Sequence, residues 1–343
     1  MDQDPVLSCI QPTGELHFGN YFGAIANWVK LQRDYRCIYG VVDLHAMTMP
    51  YEPEALRRNT QEMIIDLMAC GINPDLSILF VQSLVPEHTE LCWILSCFCS
   101  YGDLTRQTQF KDKATQLEES ARPETADEGS RFLSAGLFVY PVLQAADILV
   151  YQAQYVPVGR DQQQHLELSR NIARRFNHRF GETFPLPEAL FTETPRIQSL
   201  ADPTKKMSKG LGPKHYIGLF EEPDSIRAKV NAAVTDSGGS CAGGAMSPGV
   251  ENLFQILDAC GKDDEHRALR EAYDGGDRTY SHVKSVVADA LIDLSRSFRE
   301  RRNELMKDQP YFEMQTRLSS ERAREAARET LRRVRTRVGL PPR

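Results

Sequence analysis

VLSCIQPTGELHFGNYFGAI, residues 6–25, decides how the rest of the chain reads. Val6 to Ile10 is a short apolar run, Gln11 to Asn20 a loop carrying Gly14 and Gly19, and a helical stretch follows from Tyr21 to about Tyr35. Strand, glycine-bearing loop and helix start leave unpaired backbone N–H groups and a positive dipole end aimed at one spot. Such a spot attracts phosphate. Within it His17, Gly19 and Asn20 form an H-x-G-N group. The glycine lacks a Cβ and lets a flat base approach the backbone, while His17 and Asn20 offer side-chain donors to phosphate oxygens. The other reading of the same residues is an ordinary βα turn with a capped helix.

Working outward, CIYGVVDLHAM from Cys37 reads as a second strand, PEALRRNTQEMIIDLMACGI from Pro53 as a helix with proline at its permissive start, and SILFVQS from Ser77 as a third strand. From Leu137 the pattern returns as YPVLQAADILVYQ, then VPVG, then QQQHLELSRNIARRFNHRF, in which Leu166, Ile172, Ala173 and Phe176 recur at helical spacing. This alternation predicts an α/β fold, a Rossmann-like parallel sheet with helices on both faces. After about Asp224 the chain reads as helices alone, ending in the amphipathic SSERAREAARETLRRVRTRVGL. The expected division is a catalytic domain over residues 1–200, then a lysine-bearing loop and an all-helical domain over 201–343. ATQLEESARPETADEGSRF is charged and aperiodic and predicts an exposed insertion near residues 114–131 without chemistry of its own.

With 41% hydrophobic and 26% charged residues among 343, the composition excludes a disordered or fibrous protein. No apolar run nears the roughly 20 residues of a membrane span, and the start MDQDP lacks a basic signal region, so a cytoplasmic protein without membrane contact is expected. A net charge of −6 argues against nonspecific coating of nucleic acid but leaves open a local basic face for a particular RNA. The eight cysteines form no paired C-x-x-C pattern and read as reduced core thiols, not as a metal site.

Two further segments carry chemistry. DPTKKMSKG supplies Lys205, Lys206 and Lys209 around Met207 and Ser208 in a glycine-rich stretch able to move; a basic loop standing alone would be solvated surface. Asp147 sits inside the apolar YPVLQAADILVY, where Tyr140, Gln144, Asp147 and Ile148 share one helix face. A carboxylate so placed either receives a ligand's donor or caps a helix or pairs with an arginine.

SCIQPTGELHFGNYFGAI resembles almost continuously the first signature of class I aminoacyl-tRNA synthetases, in the form typical of the tryptophanyl members, and DPTKKMSKG resembles their K-M-S-K-S signature. A-A-D-I-L resembles the tryptophan-recognition helix of that family, and VPVGRDQQQHLEL the segment after it. The resemblance runs from Ser8 to about Asp236 and more loosely through PGVENLFQIL. It implies that ATP is contacted by Gln11, Pro12, Thr13, Gly19, Asn20, Gly159, Arg160, Asp161, Ile197, Lys206, Met207, Ser208, Lys209 and Gly210. It implies catalytic roles for His17, Asn20, Lys206, Lys209 and Lys113, the last in TQFKDK. Asp147 would accept the indole N–H, His45, Tyr140 and Gln144 would line the pocket, and Gln162 would hold the ammonium; for His45 a hydrogen-bonded core histidine remains the competing reading.

The resemblance also implies Mg²⁺ bridging the ATP phosphates, tRNA(Trp) and L-tryptophan as partners, a homodimer, and an anticodon read by the helical domain. The chain departs from the family in Gly210 for the last serine, Arg160 for glutamate, Cys9 for glycine and Gln144 for the methionine of many members. Two rivals stand beside this reading. A tyrosyl relative would need hydroxyl-binding groups in place of A-A-D-I-L, and a noncatalytic paralogue finds support only in the altered Gly210 loop.

Overall fold

The computed structural model describes residues 3–107, 134–157, 159, 163–191, 195–235, 246–276 and 279–341. Five strands, β1 (Pro5–Ile10), β2 (Arg36–Val41), β3 (Ile78–Val81), β4 (Tyr155–Pro157) and β5 (Glu188–Leu190), form one sheet in the order β3-β2-β1-β4-β5. Every pairing is parallel. Side chains alternate across the sheet, as a two-residue period requires: Val6, Tyr39 and Leu79 enter one apolar layer, Leu7, Ile38 and Phe80 the other.

The helices follow in chain order as α1 (Phe18–Asn20), α2 (Ala26–Leu31), α3 (Asp43–Ala46), α4 (Pro53–Ala69), α5 (Glu87–Ser96), α6 (Tyr101–Thr105) and α7 (Ala135–Val150). After them come α8 (Gln163–Phe180), α9 (Pro223–Asn231), α10 (Pro248–Ala259), α11 (Asp263–Asp274), α12 (Tyr280–Met306) and α13 (Gln309–Val338). A π-helical turn at Tyr21–Ile25 joins α1 to α2, so the first helix begins three residues before the expected Tyr21. The expected second strand stops at Val41, because Asp43 turns its carboxylate onto the N–H groups of Leu44 and Ser83 and starts α3 instead. β5 carried no sequence signal that was recognised.

After β1 the chain packs Phe18, Phe22 and Trp28 on one face of the sheet, whereas after β4 it packs Leu166, Ile172 and Phe176 on the other. Neighbouring strands whose chains leave toward opposite faces open a crevice at their carboxyl ends, the usual ligand position of such sheets.

The C-terminal helices are not a detached bundle. Leu253 of α10, Val287 and Leu291 of α12 and the sheet residues Val6 and Tyr39 share one apolar cluster. The last helix, α13, returns to the opposite layer through Ala323, Ala327, Leu331 and Val334. Its arginines bind back onto the sheet layer: Arg324 and Arg328 meet Glu87, Arg335 meets Glu90, and Arg322 donates to Pro74 O. Cys9, Cys37, Cys70, Cys92, Cys97, Cys99 and Cys260 are free thiols, and Cys241 lies outside the described residues. No helix among the described residues is long and apolar enough to cross a membrane.

Candidate active site

The glycine-bearing turn and the lysine loop meet although 194 residues separate the closer contact, Lys209 to Glu15. The segment after the lysine loop pairs antiparallel with the first motif: Phe18 N donates to Ile217 O at 3.0 Å and Leu219 N to Leu16 O at 2.9 Å. That pairing lays the loop over the β1 exit, where Lys209 Nζ donates to the carbonyls of Thr13 (3.1 Å) and Glu15 (2.7 Å). The loop is a hairpin, closed by Ser199 N to Lys205 O at 2.8 Å and Met207 N to Ile197 O at 3.1 Å. Ile197 and Met207 are buried beneath it, whereas Lys206 is exposed.

Gly19 is required here by close approach. A Cβ at that position would lie 2.9 Å from His17 Nδ1 and 3.2 Å from Met207 Cβ, so ring and loop occupy the space the glycine leaves. Asn20 Oδ1 accepts from His17 N at 3.1 Å and fixes the helix start, leaving the Asn20 amide group as the donor. His17 Nδ1 is buried with no hydrogen-bond partner among the described residues. Burial, then the positive charges of Lys209 and Lys206, lower the His17 pKa to about 4, so the ring is neutral near pH 7. Burial likewise lowers the Lys209 ammonium, and burial together with Glu221 raises the Glu15 carboxyl.

Gly210 is not conformationally required. The nearest atom to a Cβ built there is Ser208 Oγ at 3.7 Å and its φ is ordinary, while Gly212, at φ +101°, takes the left-handed strain of the loop.

The second half of the site centres on Asp147, which is 2% exposed. Its Oδ2 lies 2.8 Å from His45 Nε2, and its Oδ1 accepts from Gln82 Nε2 at 2.7 Å and lies 2.6 Å from His88 Nδ1. His88 Nε2 in turn lies 2.7 Å from Tyr151 Oη. One imidazole thus bridges the two groups, its Nδ1–H donating to Asp147 and its Nε2 engaged by the tyrosine hydroxyl. Burial alone would raise the Asp147 carboxyl; the charge and hydrogen bond of His45, and then those of His88, outweigh it and hold the group well below the usual carboxylate range. Asp147 is therefore an ionised carboxylate in an apolar wall, neither a helix cap nor an arginine partner.

Three donors from three elements converge on it: His45 from α3, Gln82 after β3, and His88 from α5. Asp43 aligns two of them, since it opens α3 and also accepts from Ser83 N at 3.0 Å. Tyr140 is buried with its ring 6.3 Å from His45 and its hydroxyl 3.4 Å from His165 Nε2, and Gln144 is half-buried one turn away.

Cys9 ends the floor between the two halves. Burial, then the negative charge of Asp147, push its thiol well up, and Gly40 on the neighbouring strand makes room for it.

Pro12 is buried, Gln11 half-buried and Thr13 exposed along the β1 exit, while Gly159 is exposed just beyond β4. Lys113, Arg160, Asp161, Gln162 and the insertion near 114–131 lie outside the described residues. Sequence reasoning missed Gln82, His88 and Tyr151. Their sole signal was the polar pair Gln82 and His88 among apolar neighbours in FVQSLVPEH.

The model of the family "tRNA synthetases class I (W and Y)" matches residues 4–295. A tryptophan–tRNA ligase of Clostridium acetobutylicum is 43% identical over 98% of this chain and 96% of its own length. The crystal structure of tryptophanyl-tRNA synthetase from Campylobacter jejuni, complexed with ADP and tryptophan, superposes with a TM-score of 0.82 at 32% identity, covering 98% of this chain and 100% of that one. The corresponding enzyme of Mycoplasma pneumoniae gives a TM-score of 0.86 at 32% identity, covering 99% of this chain and 98% of its own.

Proposed function

The chain belongs to the class I tRNA synthetases for tryptophan and tyrosine, and from that membership we propose the tryptophan member: a tryptophan–tRNA ligase that forms tryptophanyl-adenylate from L-tryptophan and ATP and passes the amino acid to tRNA(Trp). The observation that carries the choice of amino acid is Asp147. An ionised carboxylate offers about four acceptor positions. The described residues fill both on Oδ1 and one on Oδ2, so the position left suits a ring N–H, which can only donate. A tyrosine hydroxyl could also donate there, but its own acceptor lone pairs would go unmet, since the three donors around Asp147 are already engaged with it, a cost the indole N–H does not carry.

In the first step a tryptophan carboxylate oxygen bonds to the α-phosphorus and the bond to pyrophosphate breaks. Negative charge grows on the departing group, and our reading sets against it Lys209, held over the β1 exit, and Lys206 of the same hairpin. His17, uncharged near pH 7, contributes an N–H and not a cation. In the second step a hydroxyl of the terminal ribose of tRNA attacks the acyl carbon and AMP leaves. Our reading assigns Gln11, Pro12, Thr13, Gly19, Asn20, Gly159, Ile197, Met207, Ser208 and Gly210 to the nucleotide, with Asp161 from the family resemblance and Arg160, a departure from it, as a partner for an ATP phosphate, and His45, Tyr140, Gln144 and Gln162 to tryptophan.

Mg²⁺ enters this reading with the triphosphate, whose charge it screens. Among the described residues no group of three or more His, Cys, Asp or Glu gathers that could hold a metal ion. We also read residues 1–200 as the catalytic domain and 201–343 as the loop and anticodon-reading part, the cytoplasm as the working compartment, and the assembly as a homodimer. Trp93 on α5 and Tyr101 on α6 are 75% and 76% exposed, apolar area that a second copy would cover.

The test is ATP–pyrophosphate exchange with the purified chain. Exchange stimulated by tryptophan and not by tyrosine is expected, followed by charging of tRNA(Trp); exchange absent with every amino acid would favour a noncatalytic binder.

A further inference from the structure

The three donors to Asp147 do not hold themselves in place. Gln82 directly follows β3, and β3 is an edge strand with β2 on one side only. The outward N–H groups of such a strand need a partner. Here α13 supplies it: Leu79 N donates to Ser319 Oγ at 2.9 Å and Val81 N to Ser320 Oγ at 3.2 Å, with both serines buried. Two hydroxyls thus stand in for a sixth strand, and the second fixes the residue immediately before Gln82.

The same helix holds the start of α5. Glu87 is 8% exposed and meets Arg324 Nε at 3.2 Å and Arg328 Nε at 3.4 Å. The next residue is His88, 2.6 Å from Asp147. One turn on, Glu90 pairs with Arg335. Beside the apolar contacts that α5 and α13 share, a groove of about 440 Å³ opens between them, lined by Pro86, Glu87, Glu90, Arg324, Arg328 and Leu331, so at the start of α5 the ion pairs set the spacing. A buried carboxylate stripped of its cationic partners is costly enough to move or to protonate. The arginines therefore determine where Glu87 sits, and Glu87 determines where His88 begins its helix.

We propose that α13 is a positioning element for amino-acid selection: Ser320, through Val81, and Arg324 with Arg328, through Glu87, hold Gln82 and His88 against Asp147, so the helix more than 170 residues downstream sets how sharply the pocket distinguishes a ring that carries an N–H from one that does not. None of these α13 residues is among the hydrogen-bond partners of Asp147. Their effect runs through the orientation of the carboxylate, because loss of either donor lets the carboxylate rotate and blurs its remaining acceptor position. The proposal rests on the reading that Asp147 receives the indole N–H.

The test uses the full-length enzyme and two amino acids, tryptophan and β-(3-benzothienyl)alanine, whose ring has sulfur in place of the N–H. Exchange kinetics would be measured for wild type, Ser320→Ala, Arg324→Gln with Arg328→Gln, and Asp147→Asn. In the α13 variants the ratio of kcat/KM for tryptophan to that for the isostere should fall roughly 3- to 30-fold, carried by the KM for tryptophan, with the KM for ATP within about twofold of wild type. Arg324→Lys with Arg328→Lys, which keeps the charges, should recover part of the ratio. Ser320→Ala is mild enough to fold if the arginine double variant does not.

An unchanged ratio in the α13 variants, beside a collapsed ratio in Asp147→Asn, overturns this proposal and leaves the tryptophan site standing. An equal loss toward both amino acids in the α13 variants also overturns it, since that is plain structural damage. A wild-type ratio in Asp147→Asn removes the indole-reading role of the aspartate, and the positioning proposal falls with it.

Discussion

His88 Nδ1 lies 2.6 Å from Asp147 Oδ1 while the other nitrogen of the same ring lies 2.7 Å from Tyr151 Oη, so an imidazole with both nitrogens engaged locks the buried carboxylate. Replacing Tyr151 by phenylalanine would leave His88 Nε2 buried without its hydrogen-bond partner. The expected cost is about 1–3 kcal/mol of folding stability, read as a lowered urea midpoint at unchanged slope. A wild-type midpoint would mean that the tyrosine hydroxyl does not hold the ring in place.

His17 carries a pH signature with a definite sign. Its folded pKa of about 4 lies below the ordinary histidine value, so the unfolded chain binds more protons between about pH 4 and 6.5, and stability falls as pH drops through that window. The wild-type advantage over His17→Asn should shrink by on the order of 3 kcal/mol between pH 7 and pH 4. Asp66, raised to about 6 mainly by burial, moves stability the opposite way and cancels in that comparison. A histidine NMR titration gives a direct check; a midpoint near 6.5 for His17 would contradict the burial argument.

Lys209→Ala should lower kcat in the exchange reaction by about 100- to 1000-fold, the size of losing one preorganised donor to developing charge. Tryptophan binding, measured by equilibrium dialysis without nucleotide, should hardly change, because Asp147 and its donors lie at the other half of the site. Retained kcat would sink the assignment of Lys209 to the departing pyrophosphate.

Gly40 and Cys9 are coupled across β1 and β2. A Cβ at Gly40 would meet Cys9 Sγ at 2.9 Å and Phe80 Cζ at 2.7 Å, so Gly40→Ala should cost about 1–3 kcal/mol by overpacking. Adding Cys9→Gly should recover part of that loss and no more, since Phe80 stays. Additive effects in the double-mutant cycle would refute the coupling.

Trp93→Asp places a charge on the surface assigned to the second copy. Sedimentation equilibrium should give a dimer for the wild type and a shift to monomer for the variant. A monomeric wild type would remove the homodimer from the reading.

The sheet and the phosphate-handling half were legible because their signals are local. The strand, loop and helix start at residues 6–25 declare themselves by patterning, and the lysines of DPTKKMSKG by composition. The second strand was read too long because VVDLHAM stays apolar past Val41, and only the contact between Asp43 and Ser83 reveals where extension ends. Asp147 stood out as a charge in an apolar helix, but its alternatives remained open in the sequence, since nothing in the residues around it says what its oxygens meet.

The sequence alone determined the α/β class, the two motifs and the identity of the carboxylate, because each depends on residue type and on spacing within one or two turns of chain. The convergence of His45, Gln82 and His88 on Asp147, the seating of Lys209 over Thr13 and Glu15, and the return of the arginine-rich last helix onto β3 and α5 were decided only in three dimensions. Those contacts join residues from 59 to 240 positions apart. At such separations hydrophobic periodicity carries no information about partners, and only the strand order and the packing of two apolar layers bring them within hydrogen-bonding distance.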